Sequence, residues 1–215
     1  MEKTQVAKAI EQARKESPKR EFKQSFDLVI NFLDLDIKKP ENQVDIFVPI
    51  TGTKNKICAL VAPELMAQAK ANCDKVIPLE EFDKYTNKKD IKKLAVEFDY
   101  FMAQSTIMPQ IAKVFGRYLG PRGKMPNPKA GAVVAPNMNI KANVDRLKMA
   151  VRVSAKIQTS AKCKVGTEDM KDEEVQENIL AVYNAVKAVL PGEDKNIKNM
   201  IVKLTMGPPV KIIIK

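Results

Sequence analysis

The sequence predicts a two-domain α/β protein. One domain is α+β, with an antiparallel sheet built from both chain ends; the other is an α/β unit inserted between two of its strands. Two observations carry this. Apolar and polar residues alternate near the N-terminus and again from Val151, as in strands with one wet face. Between these stretches, from Ile57, an unbroken apolar run opens a series of alternating helix and strand signals, the pattern of a doubly wound parallel sheet. The boundaries read from these changes are 1–55 with 151–215 for the terminal domain and 56–150 for the insertion.

The elements follow in order. Val6, Ile10 and Ala13 lie at helical spacing over Thr4–Glu16, where Thr4 can cap the helix and Ser17-Pro18 stops it. "SFDLVINFLDL" puts Phe26, Leu28, Ile30 and Phe32 on one face of a strand. After the turn "DIKKPENQ", "VDIFVP" alternates with Val44, Ile46 and Val48 inward, and these two strands read as an antiparallel pair. The insertion runs through strand "ICALVA", a helix over Pro63–Asn72, strand "KVIPL", a helix around Lys88–Glu97, strand "FDYFMA" and a helix over Thr106–Phe115. A glycine-proline loop and a helix near Asn139–Met149 close it. Alternation returns in "VRVSAKIQ" and "KCKVG". A long helix near Lys171–Val189 starts among acids, which suits the positive end of its dipole. "NMIVKLTMG" and the tail "VKIII" supply the last strands.

Composition narrows the function classes. The 215 residues carry a net charge of +11, which makes polyanions the leading class of partner. The excess is local: residues 111–166 hold 12 Lys and Arg against the single acid Asp145, leaving 25 of each sign elsewhere. The alternative reading of such a run is a solvated face. With no histidine, triads, Cys-His pairs and imidazole zinc sites are excluded. Cys58, Cys73 and Cys163, odd in number and widely spaced, read as reduced thiols of a cytosolic protein. No apolar run approaches a membrane span. An enzyme, a cofactor and a metal are not expected.

"GRYLGPRGKMPNPKAGAV", Gly116–Val133, holds four glycines, three prolines, four basic residues and no acid. It fails as a phosphate-binding P-loop because Met125 follows Gly123-Lys124, and a magnesium-holding hydroxyl belongs there. It fails as a dinucleotide fingerprint on glycine spacing. What remains is a stiffened basic loop. Gly120, Gly123 and Gly131 allow positive φ or close approach, and Arg117, Arg122, Lys124 and Lys129 project toward phosphates. A purely structural connection is the competing reading.

"LGPRGKMPNPKAG" resembles the signature of the ribosomal protein L-one family. "FKQSFDL" and "KKPENQVD" near the start and "VKLTMGPPVKI" near the end resemble it too, and "KKPEN" is of archaeal type. The resemblance covers nearly the whole chain. It implies a terminal domain formed by both chain ends and carrying a Rossmann-like insertion. It also implies a cytoplasmic, non-enzymatic constituent of the 50S ribosomal subunit that binds large-subunit rRNA and forms the mobile stalk. Exit-site tRNA and the protein's own operon mRNA are further implied partners, through tRNA release and translational repression.

The same resemblance places the central RNA contacts on the terminal sheet: Phe22, Ser25 and Asp27 on the first strand, and Thr205, Met206 and Gly207 after the last. Their chemistry suits RNA. A flat aromatic packs on a ribose or base, hydroxyls pair with 2′-OH groups, and Gly207 lets RNA approach the backbone. Asp27 loses electrostatically near phosphates, so its part is selectivity through accepted hydrogen bonds. Lys162 and Lys164, on alternate positions of one strand, suit a phosphate track. Ordinary surface lysine, a staple for Phe22 and a core side chain for Met206 are the plain alternatives. Rival functions are a nucleotide-dependent enzyme using the insertion and a nonspecific packager of double-stranded nucleic acid.

Overall fold

In the computed structural model, described for residues 3–36, 38–39, 42–85, 87–156 and 158–212, the chain divides into two compact units. One takes the residues up to Thr53 and those from Ala150 onward; the other is Lys54–Met149.

The first unit holds a four-stranded antiparallel sheet in the order β10-β9-β1-β8, from β1 (Ser25–Phe32), β8 (Ser160–Thr167), β9 (Ile197–Leu204) and β10 (Val210–Ile212). Strict alternation in β1 buries Phe26, Leu28, Ile30 and Phe32. They share a core with Met200, Val202 and Leu204 of β9 and with two helices, α1 (Lys3–Glu16) and α6 (Asp172–Lys187). The α1 stripe is Val6, Ala9, Ile10 and Ala13, as its spacing predicts. Thr4 lies inside the first turn rather than ahead of it.

Sequence alternation had paired β1 with β2 (Val44–Pro49), and the structure corrects this. Both neighbours of β1 are taken, by β8 and β9, and β2 pairs antiparallel with β7 (Ala150–Ala155). Proximity in sequence was the wrong guide: β2 and β7 are the strands by which the chain leaves this unit and returns to it. Pro49 stands opposite Ala150. Ile46 is only partly buried, between the buried Val44 and Val48. Ile37, Pro40 and Glu41 of the first expected turn, Ile157 of the strand expected over 151–158, and Ile213 and Ile214 of the tail lie outside the described residues.

Two polar devices hold the edges of this unit. Asn178 of α6, 3% exposed, accepts from the Thr51 backbone N–H at 2.9 Å and donates to the carbonyls of Thr51 and Val165. Arg14 lies 5.0 Å over the Phe26 ring and donates to Glu168 O, Met170 O and the Asp172 carboxylate at 2.6–2.7 Å, pinning the 168–172 turn to α1. Arg14→Met keeps the stem and removes the donors. It is expected to lower the free energy of unfolding in urea by about 1–2 kcal/mol.

The second unit is a parallel sheet in the order β4-β3-β5-β6: β3 (Ile57–Val61), β4 (Lys75–Pro78), β5 (Tyr100–Gln104) and the short edge strand β6 (Val133–Val134), which the sequence reading missed. All five residues of β3 are buried, as a central parallel strand requires. The helices are α2 (Met66–Asn72, preceded by a 3-10 turn at Pro63–Leu65), α3 (Lys88–Glu97), α4 (Met108–Leu119) and α5 (Ile140–Met149). α4 continues one turn beyond the expected end at Phe115. Phe115 and Leu119, four apart, both bury, and the intervening Gly116 keeps helical backbone.

Candidate nucleic-acid interface

Because β1 buries its even-numbered residues, Ser25, Asp27, Val29 and Asn31 face the opposite side of the sheet from α1 and α6. The register builds that open face in rows. Lys203 of β9 and Lys164 of β8 stand on either side of Asp27. In the next row Lys211, Ile201, Val29 and Lys162 follow one another across four strands. Beyond them Asn31 donates to Asn199 at 2.7 Å. Cross-strand neighbours are about 5 Å apart, so two lysines flank the Asp27 carboxylate and two more stand in the next row. Lys162 and Lys164 are exposed, as their alternation predicts. Lys203 and Lys211 were missed, although Lys203 keeps the phase of Ile201 in "NMIVKL".

Burial raises the Asp27 carboxyl above the ordinary carboxylate range, and Lys203 and Lys164 only partly offset it. A folded pKa above the unfolded one means that the ionised carboxylate costs stability at neutral pH. That cost disappears as pH falls through the raised pKa. Asp27→Asn is therefore expected to melt at the same or a higher temperature than the parent at pH 7, with the difference closing on acidification.

At the end of the sheet the structure revises several expected roles. Thr205 lies in the turn after β9, and its hydroxyl is not free. It accepts from Ser25 N at 3.0 Å and donates to Ser25 O at 3.3 Å, extending the β1–β9 ladder one residue beyond Leu204. Met206 N donates to Gln24 Oε1 at 3.1 Å, while the Gln24 amide donates to Pro18 O at 2.9 Å. Gln24 is 1% exposed and organises this junction. It sits inside the "FKQSFDL" stretch, but no periodic signal distinguishes it. The missing Cβ of Gly207 would lie 3.1 Å from Ser17, so this glycine serves close packing against the end of α1. Phe22 precedes β1 instead of lying on it. It is 50% exposed, and Met206 is 52% exposed. Two apolar side chains thus stand in solvent on segments that Gln24 ties together.

The basic window divides. Arg152 and Lys156 belong to Asp45: Arg152 donates twice, at 2.8 and 3.1 Å, and Lys156 lies at 2.7 Å. Burial pushes the Asp45 carboxyl up, but these hydrogen bonds and charges outweigh it and hold it below its ordinary value. In the glycine-proline loop Lys124 was expected to reach for phosphates; instead it donates to Phe98 O at 2.7 Å, and burial lowers its pKa. Arg122 reaches Lys92 O at 3.3 Å while remaining exposed. Arg117, on the last turn of α4, and Lys129 are exposed. Gly123 and Gly131 take positive φ, and Asn127 accepts from Lys129 N to cap the turn at Pro128–Ala130. The loop is thus a built connection from α4 to β6, and Ala132 O accepts from Ala103 N at 2.8 Å.

A nucleotide in a doubly wound sheet sits where strand order reverses, here between β3 and β5. Gln104, 1% exposed, fills that place, accepting from Ala62 N at 3.0 Å and donating to the Glu64 carboxylate at 3.1 Å. A carboxylate there repels phosphate. Burial pushes the thiols of Cys58 and Cys163 to about 12 and that of Cys73 to about 11, so none is a ready nucleophile. Among the described residues no group of His, Cys, Asp and Glu could hold a metal ion, and no helix is long and apolar enough to cross a membrane.

Residues 10–208 match the Ribosomal protein L1p/L10e family. The chain is 37% identical over 215 residues to the large ribosomal subunit protein uL1 of Cenarchaeum symbiosum, covering 98% of this chain and 97% of that one. It is 38% identical to the uL1 protein of Methanothermococcus thermolithotrophicus, covering 99% of each. It is also 38% identical to that of Nanoarchaeum equitans, over 95% of this chain and 99% of the relative. The chain belongs to the Ribosomal protein L1p/L10e family.

Proposed function

We propose that this large-subunit ribosomal protein binds large-subunit rRNA directly, through the open face of its four-stranded sheet. The observation that carries the reading is the ordered face itself: Lys203–Asp27–Lys164 and Lys211–Ile201–Val29–Lys162 in adjacent rows. Lysines supply sequence-independent attraction to phosphates; Asp27, Ser25 and the Thr205–Gly207 turn supply selectivity. Phe22 and Met206 offer apolar surface to a ribose or base. In this reading the protein shapes the mobile stalk beside the tRNA exit site, assists release of deacylated tRNA, and represses translation by binding a similar structure on its own mRNA. The exposed Arg117, Arg122 and Lys129 form a secondary basic surface on the insertion.

The test is recovery of RNA from a total-RNA extract by the parent protein and by an open-face variant, Lys164→Glu with Lys203→Glu. Parent protein is expected to enrich one large-subunit rRNA segment and the variant to lose it. Equal enrichment by both would overturn the assignment of the surface.

The terminal unit is proposed to fold alone. Pro49 and Ala150 are register partners, so the chain ends left by removing the insertion are already close. A variant with residues 54–149 replaced by a short glycine linker is expected to unfold in one cooperative urea transition. A product without one would contradict the division.

A further inference from the structure

We propose that the outer face of α3 is a docking site for an acidic protein segment anchored by one apolar side chain. The inner face of α3 is satisfied: Ile91, Leu94 and Ala95 are buried in the core of the inserted unit. The outer face carries Lys89, Lys92, Lys93 and Val96 at i, i+3, i+4 and i+7, one continuous stripe. Val96 is 71% exposed, the most exposed of the protein's large apolar side chains among the described residues. The three lysines and Glu97 surround it on the outer surface of the same helix. Lysine stems make apolar walls while their ammonium groups stay in water. None of the three lysines has an ion-pair partner among the described residues. Arg122 adds a fourth cation, brought against this helix by its bond to Lys92 O.

The chemistry distinguishes this face from the open sheet. Val29 and Ile201 are half-buried in the sheet, whereas Val96 projects, 71% exposed, from among its lysines, and contact with phosphates alone leaves it in water. An acidic segment with one aliphatic or aromatic residue uses both, covering Val96 and meeting ammonium groups with carboxylates.

The experiment uses the full chain and a short fluorescent peptide in which glutamates surround one leucine. Its controls are the same peptide with the leucine replaced by serine and a single-stranded oligouridylate of equal charge. The leucine peptide is expected to bind, more weakly as salt rises. Val96→Ser should weaken it about tenfold, the scale set by burying one such side chain. Lys89→Gln, Lys92→Gln and Lys93→Gln together should remove most of the affinity and leave only the salt dependence that Arg122 supplies. Both variants should bind rRNA through the sheet face as the parent does, since these positions are exposed and lie on the inserted unit. Three results would overturn the proposal: no binding by the leucine peptide, equal binding by the serine peptide, or preference of this face for the oligouridylate with no effect of Val96→Ser.

Discussion

Replacing Lys162, Lys164 and Lys203 together by glutamine is expected to weaken cognate rRNA and unrelated RNA by the same factor. The three side chains leave the sheet on one face, in two adjacent rows, and a flat array of cations is read by phosphates whatever the sequence. Each phosphate neutralised contributes roughly 0.7–0.9 to the slope of log affinity against log salt, so three contacts removed should lower that slope by about 2–3. At about 0.15 M salt this amounts to roughly a hundredfold loss. Folding should change little, because none of the three bridges a carboxylate at ion-pair distance among the described residues. Asp27 loses its two cationic neighbours, which lifts its carboxyl further, and adding Asp27→Asn isolates that contribution. A salt titration with cognate and scrambled RNA decides the matter. If the variant loses only the cognate site, the lysines are specificity contacts and the division between attraction and selectivity is wrong.

The face was legible in the sequence to the extent that periodicity determines it. In β1 a two-residue period separates Phe26, Leu28, Ile30 and Phe32 from Ser25, Asp27, Val29 and Asn31, and the same rule puts Lys162 and Lys164 together. β3 announced a two-sided burial by having no polar residue at all. What periodicity does not carry is partnership. Nothing in "VDIFVP" says that its partner lies about a hundred residues downstream, across the insertion, and the nearer strand was chosen wrongly. Charge alone also misled. Lys124 looked like a phosphate hook, but a carbonyl at the end of α3 was the closer acceptor; Arg152 and Lys156 counted toward a basic window while bound to Asp45. Gln24 could not be found at all, because a buried amide that joins Pro18, Met206 and Ser17 has no signature until the turn after β9 is placed beside it.

Thr205→Val is expected to separate specificity from attraction. Valine has nearly the shape of threonine and the same charge, so the salt slope and binding to random RNA should stay as in the parent. The hydroxyl it removes is a joint in the protein: it accepts from Ser25 N and donates to Ser25 O, locking the start of β1 to the turn that presents Met206. Without it Ser25 loses two partners at an exposed edge, which should lower folding stability by about 1 kcal/mol. The effect on cognate rRNA should be larger, about 1–3 kcal/mol or some 5- to 150-fold, because the hydroxyl's remaining acceptor capacity and the fixed positions of Ser25, Met206 and Phe22 are lost together. Thr205→Ser keeps the hydroxyl and should restore most of both quantities. Calorimetric binding to cognate RNA at two salt concentrations, with urea unfolding of each variant, gives all the numbers needed. Normal cognate affinity in Thr205→Val, alongside its predicted loss of stability, would show that the junction serves only the fold and that selectivity rests on Asp27 and the rows behind it.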